Sequence, residues 1–364
     1  PLERGHPATT GGRAGLDDAG VAALRDAAPD VVLLVGGTDG GNAEALLGCA
    51  KALAVARWRG PVVVAGNVAA QGEASAILGE AGVPHVRADN VVPRIGVLAP
   101  DSARAAIRAM FLEHVIGGKH LSARADFTAM VRGATPDVVL TAVRLLAEQA
   151  GDVVVVDVGG ATTDVHSVVE ADPEDAGLAR QVVGPMPVGR TVEGDLGMRW
   201  SAVDTVRAGR EAALVAEAEY DDLADAARHR HADPSYLPAC DREHAHDERL
   251  AALAVGVALR RHAGRQQVRF GPDGRLVERT GTDLREADLL VGSGGVLRHH
   301  APEVAGRVLA ASCGHDIEGG WLLPRAPRTA VDRDYVLAAA GLLAADHPEA
   351  ARALLRRLLE GAQG

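Results

Sequence analysis

Val153-Val-Val-Val-Asp157-Val-Gly159-Gly160-Ala161-Thr162-Thr163-Asp164-Val-His166-Ser167 is the stretch on which the fold turns. Four valines in a row read as a strand buried on both faces, the kind found in parallel sheets covered by helices. The strand ends in a carboxylate, two glycines and two threonines, and a second β-branched run follows at once, so the chain doubles back in a tight hairpin. Each residue type there has a use in phosphate handling. Glycines let backbone N–H groups approach phosphate oxygens closely. Thr162 and Thr163 add hydroxyl donors, and Asp157 is suited to holding a water of a Mg²⁺ shell, with Asp164 doing similar work or bracing the turn. The same letters also fit an ordinary hairpin whose polar residues satisfy only their own turn.

Upstream, short apolar runs at Val31 to Val35, Val62 to Ala65 and Val83 to Val86 alternate with amphipathic stretches at Asn42 to Arg57 and Gln71 to Glu80. That rhythm is βαβαβ and predicts a parallel sheet. Ser102 to Val115 and Pro136 to Gln149 then carry apolar residues at helical spacing, with Asp101 available to cap the first. Downstream, β-like runs continue over Gln181 to Val188. Ala/Leu/Arg/Glu-rich helical segments run from Val203 to Arg230 and from Arg242 to His262, a hairpin is expected around Gly271 to Gly274, and helices close the chain at Tyr335 to Ala345 and Pro348 to Leu359. The expected division is an N-terminal α/β domain over 1–135 and a second over 136–364 with a helical insertion at about 203–262.

A second glycine-rich corner, Leu289-Leu-Val291-Gly292-Ser293-Gly294-Gly295-Val296-Leu297, follows an apolar run and opens a helix. Bare backbone at such a junction can lie against a purine or a phosphate, although strand-to-helix glycines are common for steric reasons alone. Gly36-Gly37-Thr38-Asp39-Gly40-Gly41, with Asn42 as a possible cap, is read as a structural βα turn in preference to an anion site. Glu193 and Asp195, flanked by glycines, face one site if the local strand has period two, where they would meet ribose or metal-bound water; surface carboxylates in a loop are the equal alternative. His229, His231, His244 and His246 with Cys240 lie in a polar loop region without the ligand spacing of a metal centre. Asp164-Val-His166 mimics the start of the cobalamin motif Asp-x-His-x-x-Gly, but Val169 occupies the glycine position, so ligation by His166 is not expected.

Taken in order, the two glycine corners resemble the phosphate-2 and adenosine motifs of the actin, hexokinase and DnaK-type ATPase superfamily, with Ala161 replacing the third glycine of the first. Tyr335-Val-Leu-Ala-Ala-Ala-Gly341 resembles its connecting helix, where a glycine lets two helices approach closely. Leu34-Val-Gly-Gly-Thr-Asp-Gly-Gly-Asn42, Asp157 to His166, and Arg190-Thr-Val-Glu193-Gly194-Asp195-Leu-Gly197-Met-Arg199 together resemble the MutL/GlmL family of glutamate-mutase accessory proteins.

The resemblance implies a ribonuclease H-like, two-lobed ATPase fold with an extra N-terminal βαβ segment. It implies ATP and Mg²⁺ as cofactors, with Asp157 and Asp164 as catalytic carboxylates and Asp157 holding Mg²⁺ through water. Gly159, Gly160, Thr162, Thr163, Glu193, Asp195, Gly292, Ser293, Gly294 and Gly295 would bind the nucleotide. The implied partner is an adenosylcobalamin-dependent amino-acid mutase, which the protein would serve as a chaperone-like reactivating factor. The alternatives are an ATP-dependent hydantoinase/oxoprolinase-type enzyme and a scaffold that does not hydrolyse nucleotide. The superfamily's first hairpin, Asp-x-Gly-Ser/Thr-Thr, does not occur before residue 150. It is expected upstream of Pro1, and hydrolysis is expected to be impaired without it.

The bulk properties narrow the field. A formal charge of -11 repels polyanions, and no basic run interleaved with aromatics suggests nucleic acid as a partner. Cys49, Cys240 and Cys313 are widely spaced, which fits reduced thiols and a cytoplasmic setting. There is no long apolar run to span a membrane. Homo-oligomerisation stays open.

Overall fold

The computed structural model describes residues 16–110, 135–170, 187–271, 274–314 and 319–362. They fall into two compact units, one formed by the described residues up to 110 and the other by those from 135 onward.

In the first unit, α1 (Asp18–Ala27) precedes three short parallel strands, β1 (Val32–Leu34), β2 (Val62–Val64) and β3 (His85–Arg87), paired in that order. The crossovers are α2 (Glu44–Val55) and α3 (Val68–Glu80), and α4 (Asp101–Met110) follows β3. Leu34, Val62 and Val64 pack with Leu46, Leu53, Ala74 and Leu78 of the crossover helices, which is why these strands read as plain apolar runs. The glycine loop after β1 is tied down by side chains from the ends of β2 and β3. Asn67 receives Gly40 N–H and donates to Gly41 O, while Asn90 donates to Gly37 O and Asp39. Gly37 has φ +70°, and a Cβ there would sit 2.0 Å from Asn42 O. These glycines are demanded by the turn, in agreement with the structural reading. Asn42 does not cap by position: helix α2 starts at Glu44, whose N–H donates to the Asn42 side chain.

The second unit is built on a five-stranded mixed sheet of β4 (Val153–Val158), β5 (Thr163–Val168), β6 (Val188–Glu193), β9 (Leu289–Ser293) and β10 (Arg328–Val331), with a separate antiparallel hairpin of β7 (Arg265–Gly271) and β8 (Gly274–Thr280). The spatial order is β10-β9-β4-β5-β6. The first three strands run parallel, while β5 is antiparallel to both neighbours. One face is covered by α5 (Thr135–Ala150), α11 (Val336–Leu343) and α12 (Pro348–Glu360), against Val153, Val155, Leu289, Val291 and Ala330. The other face packs Val154, Val156, Val158, Val165 and Leu290 against α6 (Ala202–Glu211), α8 (Asp241–His262) and α10 (Pro302–Ala310), with α7 (Glu217–Ala232) contributing behind them.

The structure adds detail that the letters did not supply. The segment Val203 to Arg230 is two helices, broken where Ala213 takes φ +55°. The first helix after the N-terminal strands begins at Asp101 itself, and the C-terminal part expected for it lies outside the described residues, as does most of the run from Gln181 to Val188. Strand β10 was not anticipated. The glycine expected at a helix contact is present: a Cβ on Gly341 of α11 would stand 1.9 Å from Val138 O of α5. Among the described residues, no helix is long and apolar enough to cross a membrane.

Candidate functional site

The parallel pairing of β4 with β9 joins the two glycine corners. Asp157 lies directly opposite Ser293, and across the other edge Asp157 faces Asp164. Alternation along each strand puts Asp157, Asp164 and Ser293 on the α5 face, level with one another at the carboxyl ends of the parallel strands. Asp332 extends the row from just past β10, its N–H bonded to Gly292 O. Its carboxylate accepts from Val336 and Leu337 N–H and so caps α11.

Carboxylates this close resist ionising. Burial, then repulsion from Asp164, pushes the Asp157 pKa above the usual range, partly offset by a hydrogen bond from Ser293 and reinforced by Asp332. Asp164 is also raised, by burial first, with Arg190 and the Thr162 hydroxyl pulling the other way. One oxygen of Asp164, Oδ1, is buried without a partner. A divalent cation would relieve both. Asp157 and Asp164 fit an ion that keeps several waters and takes one or two carboxylates beside a phosphate, which is how Mg²⁺ is held. Among the described residues no three His, Cys, Asp or Glu side chains converge as a metal cage.

The bend between β4 and β5 is held from behind. Gly159 N–H closes it on Thr162 O at 2.9 Å. Its carbonyls are taken in sequence by the segment after β6: Met198 N–H donates to Gly159 O (3.0 Å), Arg199 N–H to Gly160 O (2.8 Å) and Ser201 Oγ to Ala161 O (2.6 Å). In a trans peptide the N–H points opposite the preceding carbonyl. The N–H groups of Gly160, Ala161 and Thr162 therefore aim away from this brace, and they meet no acceptor among the described residues. Three successive bare amides are an anion cradle. Ala161 is not among the residues with positive φ, so its Cβ is accommodated.

The brace needs its own glycine, because a Cβ on Gly197 would lie 2.6 Å from Gly160 O. Thr205 Oγ1 receives Gly197 N–H and donates back to the same segment, and Thr163 Oγ1 donates to Leu196 O. Thr163 thus faces the brace and is buried, whereas Thr162 stands beside Asp164. Sequence reasoning missed this device, since its contacts are mostly backbone and leave no mark on residue type beyond Gly197 and Ser201.

Glu193 and Asp195 do converge, but on Arg261 of α8 and not on the carboxylate row. Arg261 donates to Glu193 at 2.8 Å and to both oxygens of Asp195 at 2.6 and 2.9 Å, and this holds the Asp195 pKa down. Their charges are met within the protein, and what they secure is the start of the brace.

At the second corner, Gly294 has φ +100°, and a Cβ there would meet Val158 O at 2.2 Å, so glycine is required for β9 to lie against β4. Gly292 is enclosed by Leu297 and Leu309, whereas Gly295 opens onto free space. The helix it begins, α9 (Gly295–His299), is only five residues long, so its dipole adds little and the exposed backbone is what remains available. Gly159, Gly160, Gly295, Val296, Met198 and Arg199 help line one pocket of about 900 Å³, closed on its far side by Asp241, His244 and Glu248 from α8. That is the size of a small-molecule site.

The histidines go separate ways. His231 bonds Trp200 O, His246 bonds Asp222, and His244 meets His300 edge to face. His166 is buried and its pKa falls to about 4, through burial first and then the charge of Arg190.

A mixed sheet whose parallel strands end in a carboxylate row, beside a bend with bare amides and a glycine corner, defines an α/β protein. The chain belongs to the MutL protein family, which it matches over residues 12–359. It is 34% identical over 347 residues to Protein MutL of Clostridium tetanomorphum, an alignment covering 93% of this chain and 75% of that protein.

Proposed function

We propose that this chain is an ATP-binding accessory protein that reactivates an adenosylcobalamin-dependent amino-acid mutase such as glutamate mutase. The observation that carries the nucleotide part is the β4–β9 pairing, with Asp157 beside Ser293 and, at the same strand end, the amides of Gly160, Ala161 and Thr162, which meet no acceptor among the described residues. In this reading the amides cradle a phosphate. Asp157 and Asp164 hold water molecules of the Mg²⁺ that accompanies it, and the Gly292–Gly295 corner lies along the nucleoside. The strand order and directions of the second unit support assigning it to one lobe of a ribonuclease H-like, actin-like ATPase fold. The mutase partner rests on family membership. Mg-ATP would act by favouring one conformation of the protein over another and so altering its grip on that partner.

Calorimetry with Mg-ATP tests the site, with Asp157→Ala as the control. Saturable binding that requires both Mg²⁺ and Asp157 is expected. Binding that persists unchanged in Asp157→Ala overturns the assignment. ATP turnover stimulated by a small amide, with no mutase present, would favour a hydantoinase/oxoprolinase-type catalyst instead.

A further inference from the structure

Helix α8 is 22 residues long, and the pocket described above sits at its N-terminal end. At its C-terminal end lies a second pocket of about 510 Å³. Its floor is apolar, formed by Ala208, Ala212 and Val257. Among the described residues its walls carry three arginines, Arg260, Arg261 and Arg265, together with the indole of Trp321 and one carboxylate, Glu211. This is a cationic recess in a chain whose formal charge is -11.

The three arginines differ in what already holds them. Arg261 is committed to Glu193 and Asp195. Arg260 donates to Ala212 O at 2.7 Å, which fixes its head at the pocket wall. Arg265 stacks on Trp321 with its guanidinium carbon 4.1 Å from the ring centroid, and its Nε donates to Gly319 O at 3.1 Å. Arg210, Arg249, Arg285 and Arg307 each grip a carboxylate of the protein; Arg265 has no such ion pair among the described residues. Stacking on indole and tethering through Nε set the plane of the group, and among the described residues its two terminal nitrogens stand as an oriented pair of donors. That fork matches the two oxygens of a carboxylate or a phosphate.

We infer that this pocket is a binding site for a small organic anion, its carboxylate or phosphate held by the Arg265 fork, and its apolar body lying on the Ala208–Ala212–Val257 floor beside Trp321. The inference does not rest on the nucleotide reading, because the two pockets share no lining residue. Its position does suggest what it does. Arg261 lines this pocket and also anchors Glu193 and Asp195, which lead into the brace behind Gly159 and Gly160. An anion that draws on Arg261 would loosen that anchor.

The test uses the full chain carrying Trp58→Phe and Trp200→Phe, which leaves Trp321 as the only indole of the three. Inorganic phosphate and benzoate are titrated separately at constant ionic strength held with chloride, and Trp321 emission is followed. The expected result is a saturable change with at least one probe. The probe that saturates tells a phosphate site from a carboxylate site. In Arg265→Gln the midpoint should rise at least tenfold while the melting temperature stays within about a degree. A response that is linear in concentration for both probes, or one that is the same in Arg265→Gln, overturns the proposal. Failure of Mg-ATP binding leaves this result unaffected, so the two readings stand or fall separately.

Discussion

Asp157 and Asp164 carry charge where burial opposes it. Both carboxyl pKa values are raised by burial, with repulsion from Asp164 adding at Asp157 and from Glu193 at Asp164, so ionising them at neutral pH opposes folding. For a carboxylate whose pKa is higher folded than unfolded, the fold is favoured in acid and this advantage is lost as pH rises through the folded pKa. Asp157→Asn removes the conflict. It should raise the melting temperature of the ligand-free protein by a few degrees, since each kcal/mol moves the midpoint by roughly 2–4 °C in a unit of this size. The same substitution should abolish the upward shift expected of the wild type with Mg-ATP. A carboxylate kept only for structure would show the opposite pattern, with Asn lowering the ligand-free midpoint, and differential scanning calorimetry with and without Mg-ATP separates the two.

His262 works in the other direction. It bridges Ser167 Oγ at 2.8 Å and Thr191 Oγ1 at 3.1 Å, and burial drops its pKa to about 4. Unfolded, it would titrate near 6.5. Stability is therefore complete above that value and falls as pH drops from about 6.5 toward 4, because the unfolded chain takes the proton first. From His262 alone the loss is about 2 kcal/mol at pH 5. Urea unfolding at pH 7 and pH 5 should register it, and His262→Gln should flatten the difference. His166 adds to the slope in wild type, and the raised carboxylates subtract from it.

Among elements, the glycines divide by what surrounds them. Gly341→Ala drives a methyl into Val138 O and must push α11 off α5, which should cost about 1–3 kcal/mol by overpacking while leaving the distant bend untouched. Gly197→Ala meets the Gly160 and Ala161 backbone instead. It should displace the brace, so its expected signature is weaker Mg-ATP binding by calorimetry, larger than any fall in melting temperature would explain. If Gly341→Ala weakens the nucleotide as much as Gly197→Ala does, the brace has no special role.

How well the elements could be read from the letters follows the same physics. Val153 to Asp164 and Leu289 to Gly295 were legible because a buried strand needs uninterrupted aliphatics and a close backbone approach needs glycine. Strand β10 was not, since Arg328–Val331 is four residues with only Ala330 buried, and its strand character comes from pairing with β9. The break at Ala213 escaped notice because alanine, the best helix former, stands at a left-handed position where glycine would have signalled an end. Glu193 and Asp195 announced that they share a site, but their partner Arg261 looked like any arginine on an exposed helix face.

For the second unit as a whole, a ligand that binds only the folded state raises its stability by an amount set by concentration over affinity. Mg-ATP at a hundredfold excess over its dissociation constant should add about 2.7 kcal/mol, visible as a rise of several degrees in the unfolding midpoint. Absence of any rise in wild type would favour the scaffold reading. The first unit has its own sheet and core.

The side-by-side placement of Asp157 and Ser293 also has a kinetic meaning. A β-hairpin closes locally, but β4 and β9 are separated by the whole helical insertion and the β7–β8 ribbon, so their union is a long-range event that comes late in chain collapse. On this ground the bend and its brace are expected to form before β9 docks beside them. The complete corner exists only after the last strands have docked, so occupancy reports on a finished fold, and amide protons across β4, β9 and β10 should slow their exchange together when the ligand arrives.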